Sequence, residues 1–197
     1  MNKTLNSGER QVAPTVDGVR RDHVARYEWA AAELPPGSNV IDLACGIGYG
    51  TKLLADQGHN VLGLDNSDEA IEFARAHYAA DGARFAGFNA DREDVGLPAA
   101  EAVVCFETIE HLRDPRPALR AMRAVPLLLV SVPNEDGFPF TGQPFHFRHY
   151  TRAQFEGLLI ETGWRVVGWY GQADHESEVR SGAEREDRTL IAKAMRE

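Results

Sequence analysis

Cysteine is scarce: Cys45 and Cys105 are the only two in 197 residues, and each sits inside an apolar run. That excludes a disulfide-stapled mini-domain and a zinc ribbon, both of which need clustered cysteines. Long apolar runs are missing as well. No segment approaches the length of a membrane span, and the N-terminus lacks the apolar stretch of a signal peptide. Positive charge is in deficit, with 21 Lys+Arg against 30 Asp+Glu and a net −9 at pH 7. This is the wrong sign for broad docking on a phosphate backbone or an anionic membrane, so nucleic acid is not an expected partner. What remains is 43% hydrophobic and 26% charged, an ordinary composition for a cytoplasmic globule of one domain.

The pattern along the chain divides it into a polar arm over 1–22 and a single domain over 23–197. Val24, Tyr27, Ala31 and Leu34 recur at helical spacing until Pro35-Pro36-Gly37 stops the helix. Short apolar runs at 39–45, 61–64, 83–88, 102–106 and 127–132 read as strands buried on both faces. Helical patterns at 51–57, 67–78 and 115–125 fall between them. Ser67 is placed to cap the second of these, and Thr151 with Gln154 has capping-box spacing ahead of a further helix. The chain closes on strands at 164–170 and 189–195 without a helix between them, so these should pair antiparallel. The charged segment 176–187 joining them reads as a solvated, mobile loop. Alternation of strand and helix predicts an α/β fold of the doubly wound, Rossmann-like kind, with a mainly parallel sheet covered by helices on both faces.

The most informative stretch is Val40-Ile41-Asp42-Leu43-Ala44-Cys45-Gly46-Ile47-Gly48-Tyr49-Gly50. A buried strand runs into alternating glycines that open a helix, a geometry that presents bare backbone N–H groups to an anionic ligand. Asp65 follows at the end of the next strand, where an acid accepts hydrogen bonds from ribose hydroxyls. Thr51 stands where the dinucleotide fingerprint wants its third glycine, and no Gly-Lys-Ser/Thr run exists for a P-loop. The pattern suits adenosine carrying an amino-acid tail, whose ammonium would meet an acid such as Asp42.

Five blocks in order resemble the class I S-adenosylmethionine-dependent methyltransferases. They are the helix containing Arg26-Tyr27, the glycine loop from Asp42 to Gly50, Leu64-Asp65, the segment Cys105-Phe-Glu107-Thr-Ile-Glu110-His111-Leu, and Pro144-Phe-His146-Phe-Arg148-His149-Tyr150-Thr151. The resemblance implies a seven-stranded sheet with its last strand antiparallel and S-adenosyl-L-methionine as cofactor. It implies Gly46 and Gly48 along the methionine tail, Asp65 on the ribose, Asn66 and Asp91 at the adenine, Phe106 near the cofactor and Arg26 as a candidate for the cofactor carboxylate. Two departures stand out. The connection before the fifth strand is clipped to Arg123-Ala-Val-Pro126, and His149 occupies a place where the relatives tend to carry an acid.

Methyl transfer from a sulfonium asks the protein mainly to position a nucleophile and exclude water, with a base needed only when the acceptor must lose a proton. His146 is the first candidate for that base and His111 the second. Glu107, Arg148, His149 and Tyr150 are candidate substrate contacts, with His146, Arg148, His149 and Arg152 forming a basic seat for a phosphate or carboxylate. Tyr49 and Tyr150 offer aromatic faces to the sulfonium. No metal ligand set is expected. The acceptor expected is a small molecule, such as a sugar, nucleotide or lipid-linked intermediate, and the protein a monomer or homodimer. Two alternatives stay open: a non-catalytic cofactor-binding or scaffold module, and a nicotinamide-dependent oxidoreductase.

Overall fold

The computed structural model describes residue 5 and residues 10–90 and 96–197. One sheet runs through the molecule. Five parallel strands form its first part: β1 (Asn39–Leu43), β2 (Asn60–Asp65), β3 (Ala83–Gly87), β4 (Ala102–Phe106) and β5 (Leu127–Pro133). They are followed by β6 (Trp164–Gln172), β7 (Arg180–Ser181) and β8 (Thr189–Arg196), and the spatial order is β3-β2-β1-β4-β5-β8-β6-β7. The last strand inserts antiparallel between β5 and β6.

The helices are α1 (Arg21–Glu33), α2 (Tyr49–Asp56), α3 (Asp68–His77), α4 (Arg116–Met122) and α5 (Arg152–Glu161). Alternate strand residues face opposite ways, and each set finds its own cover. Val40, Val61, Val104 and Leu129 pack with Tyr27, Leu54 and Ala74 from α1, α2 and α3. Ile41, Val103, Cys105 and Leu128 pack with Leu119, Phe155 and Leu159 from α4 and α5. Both expected caps are present: Ser67 Oγ accepts from Ala70 N, and Thr151 and Gln154 complete a reciprocal box.

The sheet has eight strands where seven were expected. The addition is β7, two residues pairing with Tyr170 and Gly171. It lies inside the segment expected to be solvated and mobile; most of that segment is exposed, and its last residue, Asp187, is fully buried. Asp187 accepts from Arg180 and, at 2.7 Å, from the backbone N–H of Glu184. Two residues are too few for an alternating pattern, and a buried aspartate in a charged run has no sequence mark that separates it from its solvated neighbours.

The described part of the arm also packs. Ala13 and Val19 are buried beside Val24, and Tyr78 Oη donates to Ala13 O at 2.7 Å. Strand order reverses between β1 and β4, so the carboxyl ends of β1, β2 and β4 open onto a common crevice.

Candidate active site

The loop after β1 alternates in hand: Ala44, Gly46 and Gly48 have φ of 60°, 56° and 93°. Its three glycines do three different things. A Cβ at Gly46 would project toward the crevice, where among the described residues only Arg10 Cδ is nearby, at 3.8 Å. One at Gly48 would meet Phe85 at 2.7 Å and Ala74 at 2.8 Å, and one at Gly50 would drive into the ring of Tyr27. Gly46 therefore leaves backbone bare to a ligand, whereas Gly48 and Gly50 let α2 close on β3 and α1. Gly48 does not line the crevice, contrary to the expectation that it would touch the cofactor tail.

Asp65 holds the loop to its neighbour strand. Its Oδ2 accepts from Gly46 N at 2.9 Å, and its Oδ1 accepts from Ser67 N at 2.9 Å and from Arg10 Nη2 at 3.2 Å. Asp42 stands behind the loop, fully buried and off the crevice wall. Tyr27 Oη donates to its Oδ1 at 3.0 Å and Thr51 Oγ1 to its Oδ2 at 2.7 Å. Burial pushes its carboxyl up to about 6 against the pull of those two donors. Asp42, expected to meet a ligand ammonium, is instead engaged in this structure by Tyr27 of α1 and Thr51 of α2.

The crevice holds a cavity of about 170 Å³. Gly46, Asp65, Asn66, Phe106, Arg26, Glu107 and His111 from the sequence reading all line it. So do Arg10, His23 and Tyr49. His23 Nδ1 and Tyr49 Oη lie 2.8 Å apart, and burial beside the Arg26 charge pushes the His23 imidazole well below its usual range, leaving it neutral. Arg26 is buried and donates to Gln172 Oε1 at 2.9 Å. Asp91 lies outside the described residues.

A second cavity of about 230 Å³ adjoins the first and shares Arg10, Gln11, His23 and Glu107 with it. His146, Glu110, Arg20, His175 and Arg188 complete much of its wall. Glu107 is held between the two cavities in a left-handed conformation (φ 48°). Ser131 Oγ donates to its Oε1 at 2.8 Å and accepts from its N–H at 3.1 Å. Glu110 is fully buried, and neither carboxylate oxygen has a hydrogen-bond partner among the described residues. Burial and the nearby Glu107 charge push its carboxyl well up.

His111 and His146 stack edge to face with ring centroids 4.6 Å apart, one on each cavity. His149 supports this pair from behind. It is buried off both cavities, with Nδ1 2.6 Å from Phe138 O and Nε2 2.8 Å from His146 Nδ1. Three expected substrate contacts fall elsewhere. Arg148 donates to Arg113 O at 2.7 Å, Tyr150 is buried against Phe155, and His149 is engaged by Phe138 O and His146. Arg152 lies over the Trp169 ring at 4.9 Å. The described guanidiniums on the wall of the second cavity are Arg10, Arg20 and Arg188, which no local motif marks because they come from opposite ends of the chain.

With this geometry in view, comparison with known proteins is direct. The methyltransferase domain family matches residues 18–168. The chain belongs to that family, whose class I members take S-adenosylmethionine as methyl donor. A probable S-adenosylmethionine-dependent methyltransferase of Mycobacterium tuberculosis is 30% identical over 178 residues, covering 84% of this chain and 63% of its own length. A ubiquinone biosynthesis O-methyltransferase of Vibrio vulnificus is 33% identical over 121 residues, covering 60% and 50%. The chain thus spans less than two thirds of the length of these curated relatives. The CcbJ methyltransferase of Streptomyces caelestis shares the fold at a TM-score of 0.71 and 16% identity, covering 94% and 99% of the two chains. A magnesium protoporphyrin IX methyltransferase of Synechocystis, solved with SAH, shares it at 0.67 and 20%, covering 89% and 84%.

Proposed function

We propose that the protein transfers a methyl group from S-adenosylmethionine to a small acceptor seated in the second cavity. The observation that carries this reading is the bare backbone at Gly46, clamped to the Asp65 carboxylate at the mouth of one cavity while a second opens across Glu107. The donor set suits the cofactor: Asp65 for the ribose, Asn66 beside it for the adenine, Arg26 for the carboxylate, and Phe88, Phe106 and Leu112 as apolar wall. The bound cofactor supplies a methyl group activated by a positively charged sulfur.

The protein's own work is then positioning and desolvation. Arg10, Arg20 and Arg188 share the acceptor cavity's wall with Asp22, Glu107 and Glu110, and a carboxylate or phosphate on the acceptor would turn to the arginines. Arg20 is partly engaged with Asp22 at 2.8 Å, and Arg188 lies over the Phe138 ring. Where the acceptor is a hydroxyl, His146 and Glu107 are placed to accept its proton, with His149 orienting His146. The two buried free thiols fit a reducing, cytoplasmic setting.

Titration calorimetry with S-adenosylmethionine and SAH tests the reading. Micromolar-range binding is expected, and Asp65→Ala should weaken it about tenfold to a hundredfold through lost charged hydrogen bonds. No heat with the unaltered protein would remove the proposal. Labelled-methyl transfer across hydroxyl acceptors with and without an anionic group then addresses the acceptor class.

A further inference from the structure

Three ligand atoms converge where the two cavities meet. An oxygen of Glu110, one nitrogen of His111 and one of His146 all lie within 4.8 Å of one another, and His111 Nε2 is 3.8 Å from Glu110 Oε1. Glu110 is completely buried, and among the described residues its carboxylate has no hydrogen-bond partner. A carboxylate in that state is costly unless something positive meets it, and the charge closest in kind, on Glu107, has the same sign.

The histidines are held in the way metal-ligating imidazoles are held. His111 Nδ1 is 3.1 Å from the carbonyl of Phe145, a contact that turns its Nε2 to the Glu110 side, 3.8 Å from Oε1. His149 Nδ1 lies 2.6 Å from Phe138 O and its Nε2 2.8 Å from His146 Nδ1, which fixes the His146 ring and leaves Nε2 as the nitrogen it would offer to an ion. A carbonyl or second group fixing the far N–H is the usual orienting device around a bound ion. The loop is stitched in place: Phe147 N donates to Glu110 O at 2.8 Å, and Phe145 takes a left-handed φ of 72° beside it.

We propose that Glu110, His111 and His146 bind a first-row divalent cation of the zinc, manganese or cobalt type at the junction of the two cavities. Two imidazoles with one carboxylate select such ions over magnesium or calcium, which prefer all-oxygen sets. Three protein ligands leave positions open toward the cavities. An acceptor hydroxyl taking one of them is polarised by the ion. Its O–H bond breaks, the proton passes to the Glu107 carboxylate, and the electron pair stays on oxygen as the nucleophile. With His146 committed to the ion, Glu107 is the proton acceptor that remains. That acceptor role rests on the methyl-transfer reading; uptake of the ion does not.

Chelator-stripped protein titrated with Co²⁺ should take up one equivalent, give visible ligand-field bands and release the ion to Zn²⁺. Glu110→Gln and His146→Ala should each lower the affinity at least tenfold, while His77→Ala, exposed on α3, should not. If a variant fails to fold, the titration of the unaltered protein decides alone. Absence of stoichiometric uptake, or uptake that Glu110→Gln leaves unchanged, overturns the site. S-adenosylmethionine binding to the stripped protein is measured alongside. Its failure, with Co²⁺ still bound, would remove the methyl-transfer reading and leave the cation site standing.

Discussion

Arg10, from the arm, pairs with Asp65, at the tip of β2, at 3.2 Å, and both side chains are largely withdrawn from solvent. The same Oδ1 also accepts from Ser67 N, so the carboxylate proposed to hold a ribose already carries an internal cation. A ribose must share or displace it. Such a partly buried pair is worth about 1 kcal/mol. Arg10→Ala should therefore tighten S-adenosylmethionine binding by roughly threefold to tenfold. Calorimetry on the two proteins checks this, and weaker binding by the variant would show that Arg10 contacts the cofactor favourably.

Gly46 and Gly48 separate ligand access from packing. Both have positive φ, but only Gly48 has Phe85 and Ala74 within 3 Å of the missing Cβ. Gly48→Ala combines left-handed strain with overpacking and should cost about 2–4 kcal/mol in urea unfolding. Gly46→Ala carries the strain alone, about 1 kcal/mol, and should lose cofactor affinity out of proportion to its stability. Equal stability losses in the two variants would contradict this division.

Asp42 gives a pH signature of unusual sign. Its folded value, about 6, lies above the ordinary carboxylate range because the group is buried. Below about pH 4 it is protonated in both the folded and unfolded states and contributes nothing. As pH rises to 6 the unfolded chain ionises first, and stability falls by on the order of 3 kcal/mol. Asp42→Asn keeps an acceptor for Tyr27 or Thr51 but cannot ionise. The difference in unfolding free energy between the two proteins should grow from pH 4 to 6 in favour of the variant and then level off. A flat difference would mean the folded Asp42 titrates normally.

The parallel half of the sheet was readable because each strand there is a short apolar run closed by glycine, proline or a capping residue. Residues 39–43, 102–106 and 127–133 carry that mark, and Ser67 and Thr151 announce their helices. Site residues adjoining a patterned element were equally visible: Gly46, Asp65 and Phe106 each end or follow a strand. What sequence pattern cannot convey is the direction of a side chain in a loop. Arg148 and Tyr150 share a segment with His146, yet one turns to the Arg113 carbonyl and the other into the core. Nor does spacing reveal that Arg10, Arg20 and Arg188 meet His146 around one cavity.

Asp187 offers the sharpest test of whether segment 176–187 is mobile. Its carboxylate gathers Arg180 and Glu184 N–H, its carbonyl accepts from Asn134 Nδ2 at 2.7 Å, and a Cβ added at Gly171 or Gly137 would collide with it. Glycine on both sides is what admits the aspartate to a fully buried seat. Asp187→Ala strips the carboxylate from this seat while leaving Arg180 and the Glu184 N–H without it, a cost of about 2–4 kcal/mol. Because β7 and the 176–187 segment lie at the sheet edge, the damage should be local. Limited proteolysis should cut within 176–187 in the variant much faster than in the unaltered protein, with S-adenosylmethionine affinity retained. Cleavage at equal rates would show that the segment opens freely despite its buried anchor.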